Sequence, residues 1–115
     1  MFDFDTVQES TSPTDELEEV VMNLIINAGH ARSLAYTALK QAKQGDFDGA
    51  KALMEQSRLA LNEAHLVQTK LIESDLGEGR VKLSLVLVHA QDHLMTSMLA
   101  RELVVELIEL HEKLH

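Results

Sequence analysis

The stretch LEEVVMNLIINAGHARSLAYTALKQAKQGD, residues 17–46, decides the fold. Leu17, Val20, Val21, Leu24, Ala28, Ala31, Ala35, Ala38 and Ala42 recur at steps of three and four, the period that places side chains on one face of an α-helix. The spacing predicts a long helix from about Asp15, which Thr14 or Asp15 can cap. Glu16, Glu18 and Glu19 complement the positive end of its dipole. Gln44-Gly45-Asp46 ends it, with Gly45 in the left-handed conformation that closes a helix and Asp46 ready to cap the next.

Working outward, Ala50, Leu53, Ser57, Ala60, Ala64, Val67 and Leu71 mark a second helix, its stripe broadened by Met54, Leu61 and Ile72. Two glycines within three positions, Gly77 and Gly79, make Ser74 to Arg80 a connection. A third helix is expected from about Lys82 to Lys113. Short connections between helices this long imply antiparallel neighbours, hence an all-α, three-helix up-down-up hairpin over residues 15–115. Residues 1–14 carry the only proline and no sustained periodicity, the profile of a flexible N-terminal tail.

The third helix has more apolar surface than this hairpin can bury. Leu85, Val88, Asp92, Met95, Leu99, Leu103, Glu106 and Leu110 form one stripe; Leu87, Ala90, Leu94, Met98, Val105 and Ile108 form another. One stripe can pack inside the subunit. The second implies a homo-oligomer in which third helices meet around a symmetry axis, the alternative being a helix buried deep within a monomer.

Composition narrows the function. With 115 residues the chain is the size of one domain, and the absence of Cys removes disulfides, thiolate metal sites and cysteine nucleophiles. A net charge of −9 with scattered basic residues argues against nucleic acid and anionic membranes, and favours a basic protein partner. There is neither an apolar run of roughly eighteen residues nor a signal-peptide pattern at Met1 to Thr6, so no membrane insertion and a cytoplasmic location are expected.

Chemistry concentrates at His89-Ala-Gln91-Asp92-His93. His89, Asp92 and His93 lie at helical steps of three and four, within about one and a quarter turns. A neutral imidazole is nucleophilic near neutral pH, and neighbouring groups can select its tautomer. The same spacing suits a helical metal site, although Ala90 stands where the zinc-protease pattern has Glu. A purely structural role for the histidines is the third reading. Asp92 interrupts an apolar seam. If third helices converge, its copies repel by roughly 4 kcal/mol per pair at ~4 Å and an effective dielectric of ~20, which protons, water or a cation must relieve. Mg²⁺ suits such an all-oxygen site; alternatively Asp92 is a satisfied polar residue that sets register. His65, among Glu63, Gln68 and Thr69 on the second helix, could line a groove beside the third.

Leu85-Val-Leu-Val-His89-Ala-Gln-Asp92-His93-Leu-Met-Thr-Ser resembles the phosphorylation-site helix of the lactose/cellobiose (N,N′-diacetylchitobiose) class of phosphotransferase-system enzyme IIA components. Ala28-Gly29-His30-Ala31-Arg32-Ser33 and Leu61-Asn-Glu-Ala-His65-Leu-Val-Gln68-Thr69 resemble segments of that family in the same order, so the likeness spans about residues 15 to 113. His30 departs from the polar residue expected after the glycine. The resemblance implies that His89 is phosphorylated by the histidine-containing phosphocarrier protein and passes the group to a IIB component, with no organic cofactor. It implies a homotrimer of hairpins with Asp92 at the axis, where a divalent cation such as Mg²⁺ can bind. Gln91, His93 and His65 are candidates for phosphate or partner contacts. The sugar expected is N,N′-diacetylchitobiose or cellobiose. The competing reading is a metal-binding helical oligomerisation module without phosphoryl transfer.

Overall fold

The computed structural model describes residues 13–115; the side chains described begin at Glu16, and the expected tail up to Ser12 lies outside the described residues. Among the described residues there are three helices and no strand: α1 (Pro13–Lys43), α2 (Phe47–Asp75) and α3 (Leu85–Leu114).

α1 begins two residues earlier than expected. Proline is well placed in a first turn, where its missing N–H would have had no helical partner. Thr14 and Asp15 therefore lie inside the first turn rather than ahead of it as caps. At the other end Gly45 has φ 87°, and the Asp46 carboxylate accepts from the Gly49 N–H at 2.9 Å, so the α1–α2 turn forms as its sequence predicts.

The α2–α3 connection differs in detail. Leu76 closes α2 in the left-handed conformation at φ 54°, its N–H reaching the Ile72 carbonyl at 3.1 Å, and Gly77 and Gly79 follow it with φ 68° and 72°. The Asp75 carboxylate then accepts from the Val81 N–H at 2.9 Å and folds the loop back, so that Val81 packs on the core. α3 starts three residues later than the apolar pattern suggests, because Ser84 is extended and its Oγ accepts from the Leu87 N–H at 3.1 Å.

Packing centres on α1. Its Ala28, Ala31, Ala35, Ala38 and Ala42 are completely buried. Small side chains let neighbouring helices approach closely, and α1 packs along both α2 and α3, which meet each other over less surface. One apolar cluster gathers Val21, Leu24, Ala28, Ala64, Leu87, Ala90 and Leu94; a second gathers Ala35, Ala38, Ala42, Ala50, Met54, Val104 and Ile108. Between them Ser57 is fully buried and donates to the Ala31 carbonyl at 2.7 Å.

On α3 the buried residues are Leu87, Ala90, Leu94, Ser97, Val104 and Ile108. The expected inner stripe thus holds at Leu87, Ala90, Leu94 and Ile108, but runs through Ser97 and Val104 where Met98 and Val105 were expected; those two are half-buried. The other stripe, Leu85, Val88, Asp92, Met95, Leu99, Leu103, Glu106 and Leu110, is exposed throughout. At ~100° per residue the centres of the buried and exposed stripes lie about 180° apart around the helix. Ile72, expected to broaden the buried stripe of α2, is also exposed.

Candidate functional site

The Ser84 cap sets the phase of α3 and puts His89 in its second turn. His89 is exposed on the flank between the buried face and the exposed apolar stripe, and His93 is half-buried one turn later on the same flank. The two rings are nearly parallel, 20° apart in plane with centroids 6.0 Å from each other.

The His93 flank faces α1. The position a Cβ would occupy on Gly29 lies 3.1 Å from His93 Nε2, so the ring reaches into a notch beside the α1 backbone. Burial there, and then the positive charges of Arg32 and His89, hold His93 below the ordinary imidazole value. Because the folded ring resists a proton that the unfolded one accepts below about 6.5, the bundle loses stability as pH falls through that range. His93→Gln is expected to flatten the slope of urea-unfolding stability between about pH 7.5 and 5.5. An unaltered slope would place the titrating group elsewhere.

Gln91 lies about 160° around the helix from His89 and faces α2. Its Nε2 donates to Gln68 Oε1 at 2.5 Å, and Gln68 Nε2 donates back to Gln91 Oε1, a reciprocal amide pair where α2 and α3 come together. Within one chain Gln91 and the histidine pair are therefore on opposite flanks. His65 is exposed on α2, with its carbonyl accepting from Thr69 Oγ1 at 3.0 Å. Asp92 is exposed in the outer stripe.

The metal-site reading of His89, Asp92 and His93 within a single chain is not supported: among the described residues no three His, Cys, Asp or Glu side chains are placed to hold one ion. The reason is angular, since Asp92 projects into the outer stripe while His93 turns toward α1. Arg101 crosses to α2, where its Nη2 donates to the Met54 carbonyl at 3.2 Å. Sequence reasoning passed over Gly29 and Arg32 as neighbours of His93. The available signal was a glycine inside an otherwise unbroken helical pattern.

Fold and site together define an all-α hairpin whose last helix carries an accessible histidine paired with a more sheltered one. Residues 19–112 match the family model described as PTS system, lactose/cellobiose-specific IIA subunit, and the chain belongs to that family. It is 75% identical over 114 residues, 99% of its own length and 98% of the relative's, to the N,N′-diacetylchitobiose-specific EIIA component of Escherichia coli K12. Its fold is similar to the IIA(Chitobiose) chain in the solution structure of the Escherichia coli IIA(Chitobiose)–HPr complex, with TM-score 0.76 and 83% identity over 85% of this chain and 95% of that one. It is also similar to the cellobiose-specific enzyme IIA of Bacillus anthracis, with TM-score 0.82 and 44% identity over 85% and 90%.

Proposed function

We propose that the protein is a cytoplasmic phosphocarrier of a sugar phosphotransferase system. It takes a phosphoryl group onto His89 from the histidine-containing phosphocarrier protein HPr and passes it to a IIB component. The sugar served is N,N′-diacetylchitobiose, as the name of the 75% identical relative suggests, or the related disaccharide cellobiose. The observation that carries this reading is the exposed His89 ring beside the parallel, partly sheltered ring of His93. A carrier must meet two proteins in turn, and an exposed imidazole on a rigid helix lets both approach in line.

In the first step His89 Nε2 attacks the phosphorus of the donor's phosphohistidine; the new N–P bond forms as the donor's N–P bond breaks and its imidazole leaves. In the second step the IIB nucleophile attacks the same phosphorus and His89 leaves. Little covalent work falls to the scaffold, so positioning and charge dominate. His93 is suited to contact the phosphoryl oxygens from the same chain. Gln91 and His65 would contribute from elsewhere in the assembly, since neither shares the His89 flank.

The assembly proposed is a homotrimer with α3 stripes facing the axis, which would cover the exposed run from Leu85 to Leu110. Asp92 sits within that run. One carboxylate per chain cannot hold a metal, whereas three converging copies form an oxygen-only set that suits Mg²⁺. An ion there would neutralise the converging charge, away from the phosphoryl-transfer chemistry.

The direct test is incubation with a phosphoenolpyruvate-driven donor system. Acid-labile phosphate is expected on the wild-type chain and absent from a folded His89→Ala variant. A folded wild-type chain that takes up no phosphate, or a variant that takes it up equally, overturns the assignment.

A further inference from the structure

We infer that Gly29 is a positioning residue for phosphoryl transfer, its missing side chain making the notch on α1 that sets the His93 ring parallel to His89. This rests on the phosphocarrier reading above. Gly29 lies in the middle of a 31-residue helix and is half-buried. A glycine there costs helix stability relative to alanine, so its position calls for a local reason.

The reason is on α3. A Cβ at position 29 would meet His93 Nε2 at 3.1 Å and Cε1 at 3.9 Å. The first distance is well inside the ~3.5 Å at which such atoms rest in contact. Apart from its neighbours in α1, nothing else among the described residues approaches that Cβ position within 4 Å, so of the described residues on α2 and α3 only His93 enters the notch. The backbone of α3 cannot retreat to make room, because Leu94 and Ala90 are anchored in the core on either side of this turn. A side chain at 29 therefore has to turn the imidazole itself. The ring can swing toward His89, narrowing the space where the phosphoryl group stands, or outward, withdrawing a contact from it. Nε2 faces the α1 notch.

The test is a double-mutant cycle on the full-length chain, measuring transfer from phosphorylated HPr onto His89. Gly29→Ala is expected to lower kcat by about tenfold and Gly29→Val by about a hundredfold, with KM for the donor little changed, as a small misplacement of a group near the reacting centre does. In a His93→Ala background both substitutions are expected to be silent, because Gly29 acts through that ring. Alanine is the milder variant and raises helix propensity, so it reads the effect even where valine prevents folding. Equal losses in both backgrounds would make Gly29 merely structural and overturn the inference, as would no loss in either. An NMR contact between the Gly29 Hα protons and the His93 ring is expected in the unphosphorylated protein, and its absence also overturns the notch. A wild-type chain that takes up no phosphate sinks the carrier reading, and this role with it, even where that contact is seen.

Discussion

Leu99→Glu combined with Leu103→Glu is expected to turn the homotrimer proposed above into single, still helical subunits. Both leucines are more than half exposed in the isolated chain, on the stripe opposite the buried face of α3. Fully withdrawing a leucine from water is worth roughly 1.5–3 kcal/mol, and with about half of each side chain left to bury the two together contribute roughly 1.5–3 kcal/mol per chain, a tenfold to hundredfold effect per subunit before charge is considered. Carboxylates brought together at an axis add repulsion of roughly 4 kcal/mol per close pair. The core face is untouched, so circular dichroism should report unchanged helix content while sedimentation reports monomer mass. A double variant that still sediments as wild type would place the interface elsewhere. Asp92→Leu is expected to act with the opposite sign, preserving or strengthening the proposed trimer by removing the like charges that would converge in its apolar seam. Dissociation of that variant, or of the wild type on chelation of divalent ions, would show instead that a cation bridge holds the subunits.

The second large effect concerns the alanine ladder. Ala31→Leu is expected to lower stability by about 3 kcal/mol, the upper part of the usual range for forcing extra methylenes into a filled core. For a chain of this size that corresponds to a fall of roughly 12–20 °C in Tm. Ala31 is completely buried, and its carbonyl holds the buried Ser57 hydroxyl at 2.7 Å. Moving α2 away to admit leucine would stretch that bond and leave the hydroxyl unsatisfied. Ala52→Leu, on the exposed face of α2, serves as the comparison and should change stability by less than about 0.5 kcal/mol. Equal thermal unfolding of the two variants would mean that the ladder is not the packing surface.

Much of this arrangement is written locally in the chain. The three-and-four spacing from Leu17 to Ala42, the Gly45-Asp46 stop and start, and the run of apolar residues after Ser84 each act through backbone geometry within a turn or two. Such features are legible without a partner element. The errors fall where a hydrogen bond between residues several positions apart competes with apolar pattern. α3 begins at Leu85 rather than Lys82 because the Asp75 carboxylate holds Val81 and Ser84 caps the first turn. The inner stripe of α3 passes through Ser97 and Val104 because burial follows the phase of the helix against its neighbours: Val104 and Val105 are the same residue type and differ only in their angle around the axis.

The His89–His93 pair was equally legible, since a step of four places both on one flank, whereas Asp92, within the same turn and a quarter, faces the outer stripe instead. By itself the sequence determined the three amphipathic helices, the surplus apolar stripe on the last, and the concentration of imidazoles on one segment of it. Only the tertiary structure decided which neighbour each flank meets. It set His93 into the Gly29 notch, paired Gln91 with Gln68 on the opposite side, and left Asp92 in the exposed seam. The physical reason is that period specifies angles around one helix axis, while the phase of that helix against its neighbours is fixed by caps and packing contacts that residues distant in the chain supply.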